Sequence, residues 1–261
     1  MKKILSVILS SAMILCTPVI TYAHQSTNYS DMTNDMVANL IGLPVREIEY
    51  AREHYDPLEF NDLISDFVSE NNQNQIALAE DLDMSDSDWE SLQDYFLTGR
   101  ILISRDQSTF NYHHGHAALI YDSTHTIEAM GYVNGLTQAP EESEYKEIDW
   151  WKNNYQVRAY EAASGFYYNN NPNYAYIPMT EDIYEDIADY AYDNLVGISY
   201  ATFADRLDTE ANNCATLVWQ AYYMIGKNLL DDTDGTIIPK DLVEDGDLRI
   251  LKRVNWSGSI W

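Results

Sequence analysis

Asn213-Cys214-Ala215-Thr216-Leu217-Val218-Trp219-Gln220-Ala221-Tyr222 decides how the chain is read, because it opens a helix on a cysteine. Asn213 is a favoured N-cap, so Cys214 takes the first helical position. Leu217, Val218, Ala221 and Tyr222 bury the helix behind it, and Gly226 closes it after about Ile225. At a helix start the peptide dipoles favour an anionic sulfur, and the same amides can receive an oxyanion. The competing reading is a buried cysteine acting as a small hydrophobe.

Working outward, the chain has 261 residues and one other cysteine, Cys16. Lys2 and Lys3, the apolar stretch Ile4 to Ile20 and Thr21-Tyr22-Ala23 read as a signal peptide over residues 1–23. Leu15 precedes Cys16 where a lipid-attachment site wants a small residue, so cleavage after Ala23 and no lipid anchor are expected. No later run approaches the roughly 18 to 20 apolar residues of a membrane span. The expectation is a secreted, extracytoplasmic product with no stable membrane insertion. A lone cysteine there has no disulfide partner and is open to oxidation, which favours a working thiol.

The formal net charge is -27, and loss of Lys2 and Lys3 takes it to -29. Such a field repels nucleic acid and anionic surfaces, and it suits a neutral or cationic substrate.

Residues 24–98 hold 17 Asp and Glu against Arg46 and Arg52, with apolar residues at helical spacing. They read as an acidic helical lobe: a cap over a cleft, a pro-segment or a packing element. Ser87 with Glu90 matches a capping box, Pro44 and Pro57 mark helix starts, and Gly99 marks a stop. From Gly99 the pattern turns to short strands. These are Ile101–Ser104, His116–Tyr121 with Thr126–Met130 across an Asp122–His125 turn, Tyr155–Tyr160, and a tail strand over Leu248–Val254. Residues 163–177 read as a surface loop, and Thr180 caps a helix ending at Gly197. The class is α+β, a small antiparallel sheet packed with helices.

A thiol enzyme needs a base. His113, His114, His116 and His125 cluster around the hairpin, and His116 sits at the rim of the apolar run Ala117–Ile120. With pairing about Asp122, Glu128 lies opposite His116, where a carboxylate can fix the tautomer and stabilise an imidazolium. His113 and His125 read as solvated turn residues. A zinc site from His114, His116 and His125 or Cys214 lacks a second short-spaced ligand pair. Asp231-Asp232-Thr233-Asp234-Gly235 lacks the closing Glu of a calcium loop and reads as an acidic turn. No metal and no cofactor are expected.

Gly115–Tyr121, then Thr126–Ala129, then Asn213–Trp219 with Tyr222 resemble the circularly permuted NlpC-type papain-like cysteine amidases of the YiiX/YaeF group. The order His, Glu, Cys is the permuted one. The resemblance covers about Gly99 to Leu251 and implies a permuted papain-like catalytic domain over 99–261, with the helical lobe outside it. It implies Cys214 as nucleophile, His116 as base and Glu128 as the orienting third residue, and Tyr200 lining the oxyanion site. Arg100, Asn213 and Ala215 depart from the residues common in relatives.

The expected function is a secreted cysteine amidase or peptidase acting on cell-wall peptides or N-acyl amides, with its activity optimum nearer neutral than acid. A cysteine acyltransferase or thioesterase would use the same triad. An acidic surface-binding protein, presenting Phe166–Tyr168 and Tyr174–Tyr176, is the non-catalytic alternative.

Overall fold

The computed structural model describes residues 27–73, 83–105, 115–132, 141–167, 171–231, 235–256 and Trp261. The expected leader, His113, His114, Tyr168 and most of the acidic turn at 231–235 lie outside these residues.

The central sheet is six-stranded and antiparallel, in a mixed α+β architecture. Its strands are β1 (Ile101–Ser104), β2 (His116–Ile120), β3 (His125–Glu128), β4 (Glu144–Glu147), β5 (Val157–Ala162) and β10 (Leu248–Val254), in the order β10-β5-β1-β2-β3-β4. Strands β1, β2 and β5 are buried on both faces, so Ile101–Ile103 and Ala117–Ile120 read as unbroken apolar runs, while β5 also buries Arg158 and Glu161. One face packs Ile101, Ile103, Ala117, Leu119 and Ile127 against α5 (Glu181–Asn194) and α6 (Cys214–Met224). Every residue of α6 from Cys214 to Tyr222 is buried, so it is a core helix rather than a surface one. Each fully enclosed Leu or Val there contributes about 1.5–3 kcal/mol, which fixes the helix start firmly.

The other face packs Leu102, Ala118, Ile120, Val157 and Ala159 against Trp151 and against Met84, Trp89, Leu92 and Phe96 in and around α4 (Asp86–Gln93). Helices α1 (Asn34–Ile41), α2 (Val45–His54) and α3 (Pro57–Gln73) form a separate core of Val37, Ile41, Ile48, Phe60, Ile64 and Phe67. The acidic stretch therefore serves two cores. Phe203 closes the α1–α3 core, edge-on to Phe67 at 5.5 Å. The Tyr55 hydroxyl donates to the Phe203 carbonyl at 3.0 Å, and Tyr50 donates to Asp208. These contacts dock α2 and α3 on the segment leading to Cys214.

Several expectations are corrected. The cap of α4 is Ser85, not Ser87: its hydroxyl accepts from the Asp88 amide at 3.2 Å and donates to the Asp88 carboxylate at 2.7 Å. Starting there carries Trp89 and Leu92 inward. Gly99 ends no helix; at φ 72° it turns the chain into β1, with its amide on the Ile120 carbonyl at 2.7 Å. The 163–177 loop contains a short pair, β6 (Phe166–Tyr167) and β7 (Tyr176–Ile177). Pro239 opens α7 (Pro239–Glu244) at its first position. A two-rung parallel ladder joins β8 (Ser199–Tyr200) to β9 (Ala211–Asn212) just before α6. Arg100 makes a paired contact with Glu181 at 2.6 Å and lies 3.6 Å over the Tyr184 ring, tying the start of β1 to α5.

Candidate active site

Asn213 builds the start of α6. Its Oδ1 accepts from the amides of Ala215 and Thr216, both at 2.9 Å, while the Thr216 hydroxyl accepts from the Asn213 amide at 2.7 Å. Two of the amides expected to face an oxyanion are thus consumed. The Cys214 amide is the donor at the helix mouth that this capping box does not use. The Asn213 side-chain amide donates in turn to the carbonyls of Ile237 at 3.0 Å and Thr202 at 3.2 Å, fixing the cap between two cavity walls.

Cys214 is only 4 % exposed, yet it lines a cavity of about 530 Å³. The sulfur is therefore enclosed but reachable. Leu43, Leu63, Phe67, Phe203, Ile237 and Ile238 supply apolar wall. Asp66, Asp231, Asp241 and Asp245 add carboxylates, against one guanidinium, that of Arg206. Arg206 is itself buried and donates to the Gly235 carbonyl at 3.1 Å.

Gly115, at φ 72°, leads into β2, and a Cβ there would meet the Trp261 ring at 2.2 Å. The next residue, His116, is hydrogen-bonded to Glu128 and lies near enough to Cys214 for the sulfur to influence its protonation. Its Nε2 lies 2.9 Å from Glu128 Oε2. The pairing differs from the expected one. Leu119 faces Ile127 and Ile120 faces Thr126, which sets Glu128 level with Ala118 rather than with His116. The shift comes from the turn: Asp122 accepts from the Thr124 amide at 2.7 Å, and Tyr121 pairs with His125. Two residues of slip keep the same face, so Glu128 still reaches His116 along the diagonal. His125 is not a free turn residue; it begins β3, and its ring stacks on Tyr145 at 4.3 Å.

Glu128 is fully buried, and its second oxygen accepts from the Trp151 indole at 2.7 Å and from the Thr126 hydroxyl. Trp151 also stacks on the His116 ring at 5.5 Å, and Trp150 meets that ring edge-on at 5.6 Å. This aromatic wall was not read as functional. The adjacent pair Trp150-Trp151 between two strands was its one visible signal.

Burial pulls the His116 pKa down, but hydrogen bonds and charge from Cys214 and Glu128 outweigh it and raise it to about 9. Burial likewise pushes Glu128 up, and His116, Thr126 and Trp151 together hold it below the usual carboxylate value. A carboxylate–imidazolium pair results, facing the sulfur through neutral pH.

Tyr200 lines the cavity with Cys214. Its ring lies over Gly131, where a Cβ would come within 2.7 Å of Cζ. Burial first, then the charges of Cys214 and Glu47, hold its hydroxyl well above the usual range, so it remains a neutral donor.

Among the described residues no group of three or more His, Cys, Asp and Glu side chains is placed to hold a metal ion. No helix among them is long and apolar enough to cross a membrane. No protein-family model matches the chain, and no curated protein matches it significantly.

Proposed function

We propose that the chain is a secreted cysteine amidase of permuted papain-like fold, with Cys214 as nucleophile, His116 as general base and acid, and Glu128 as orienting carboxylate. One observation carries the reading: a buried Glu128–His116 hydrogen-bonded pair stands beside the Cys214 sulfur, which lines an open cavity. A structural cysteine has no use for an imidazolium backed by a buried carboxylate. The leader-like residues 1–23 support export.

The steps follow from those positions. Cys214 enters as the thiolate, its proton already held on the His116 imidazolium, and the thiolate attacks the amide carbonyl carbon. Charge passes to the carbonyl oxygen, where the Cys214 amide and Tyr200 hydroxyl stabilise it. Collapse breaks the C–N bond, and the imidazolium gives its proton to the leaving amine. The neutral imidazole then takes a proton from water, whose oxygen cleaves the thioester, releasing the acid and regenerating the thiolate–imidazolium pair. The apolar walls suit an acyl chain or an apolar side chain, and the carboxylates of the cavity suit a cationic group beside it.

The test is alkylation by an iodoacetamide probe across pH for the wild type, Cys214→Ala and His116→Ala. This is joined to release of amino groups from cell-wall fragments and from acyl amides. Fast labelling at Cys214 that His116→Ala abolishes, with hydrolysis of either substrate class, is expected. Ordinary thiol kinetics without hydrolysis would leave an acidic binding protein in its place.

A further inference from the structure

Glu47 lies on α2, outside the stretch that resembles the amidases, yet it is a buried carboxylate with 2 % exposure and both oxygens occupied beside the site. Glu47 Oε2 accepts from the Thr202 amide at 2.8 Å, and Oε1 accepts from the Tyr132 hydroxyl. Arg46 Nε also donates to the Tyr132 hydroxyl at 3.0 Å, and its guanidinium lies 4.9 Å over that ring. Tyr132 in turn meets the Tyr200 ring edge-on at 5.9 Å, and its neighbour Gly131 lies against the Cζ end of that ring. Thr202 stands two residues after Tyr200 on the same wall of the cavity.

One carboxylate therefore grips both the main chain two residues beyond Tyr200 and the ring packed against Tyr200. Such a buried charge is costly unless the bonds it makes hold something in place. Burial raises the Glu47 pKa, while Tyr132 and Thr202 oppose that rise.

We infer that Glu47 is a positioning residue for the Tyr200 hydroxyl, so that the α1–α3 lobe is a permanent working part of the site and not a removable pro-segment. The inference rests on the amidase reading. It assigns to the lobe the aim of the oxyanion donor, while His116 and Glu128 govern the sulfur.

The experiment compares wild type, Glu47→Gln, Tyr132→Phe, Tyr200→Phe and the Glu47→Gln/Tyr200→Phe double variant. Two rates are read: hydrolysis of an acyl amide, and alkylation of Cys214 by iodoacetamide, which needs the sulfur but no oxyanion donor. Glu47→Gln and Tyr132→Phe are expected to lower kcat about 10- to 100-fold, with KM and alkylation almost unchanged. The double variant is expected to be no slower than Tyr200→Phe alone. Unchanged kcat, losses that multiply in the double variant, or alkylation that falls in parallel would each overturn the inference. A fluorine label on Tyr200 supplies a reading independent of turnover. Its resonance should shift or broaden in Glu47→Gln and in Tyr132→Phe, and an unmoved resonance overturns the positioning role. A wild type with slow alkylation and no hydrolysis defeats the amidase reading instead, and the fluorine resonance still decides what Glu47 does.

Discussion

Cys214 has two dissimilar neighbourhoods. Toward the sheet, His116 and Glu128 sit in a dry enclosure of Trp150, Trp151 and Thr126, each held by short polar contacts. Toward the cavity, Tyr200 stands on a wall assembled from α3, the 200–206 segment and the 236–238 stretch leading into α7, with several carboxylates nearby. The first neighbourhood is built for a fixed charge pair in low dielectric, where a hydrogen bond is strong and a missing one is expensive. The second is built for exchange with solvent, where single charges act weakly. On the proposed reading, proton handling belongs to the sheet side and substrate handling to the cavity side.

The sharpest way to break that division is Glu128→Gln. It leaves the cavity untouched and deprives His116 of its carboxylate, so kcat should fall by about 10²- to 10⁴-fold while KM stays near the wild-type value. Steady-state kinetics check this, and a large rise in KM would mean that the two sides are not separate. Next comes Trp151→Phe, which keeps the aromatic wall and removes the indole donor to Glu128. Loss of a buried bond to a charged group is expected to cost about 1.5–3 kcal/mol in denaturant unfolding, with a smaller loss of kcat. The pH dependence sharpens the contrast further. His116 is raised to about 9 from 6.5, so the stability it adds is complete below about 6.5 and vanishes as pH rises through about 9. The unfolding free energies of wild type and His116→Gln should therefore converge between those values. The smallest effect belongs to the open side: Asp245→Asn should raise KM for a cationic amide only about two- to fivefold, and added salt should erase the difference.

Sequence reasoning reached the sheet side better than the cavity side, for a physical reason. The strands His116–Ile120 and His125–Glu128 and the helix from Cys214 carry apolar patterns or caps that specify them locally. His116, Glu128 and Cys214 ride on those elements, so their meeting was foreseeable even with the hairpin register misjudged by two residues. β4 was missed because Glu144-Tyr145-Lys146-Glu147 is an exposed edge strand with no apolar alternation. Glu47 was invisible for a different reason. In the string Arg46-Glu47-Ile48-Glu49 it looks like one more solvated charge, and only the long-range partners Tyr132 and Thr202 show otherwise. The same holds for Asn213, legible as a cap but not as the group that ties Ile237 to Thr202.

The pair of rungs joining Ser199 to Ala211 and Tyr200 to Asn212 has one more implication. Tyr200 lies on one rail of that ladder, and Cys214 follows two positions beyond the end of the other. Thermal breathing that displaces the base of the core helix carries the phenol along with it, as the jaws of a locked caliper travel together. The ladder thus couples the position of the phenol to that of the sulfur, independently of the side chains on the far walls of the cavity.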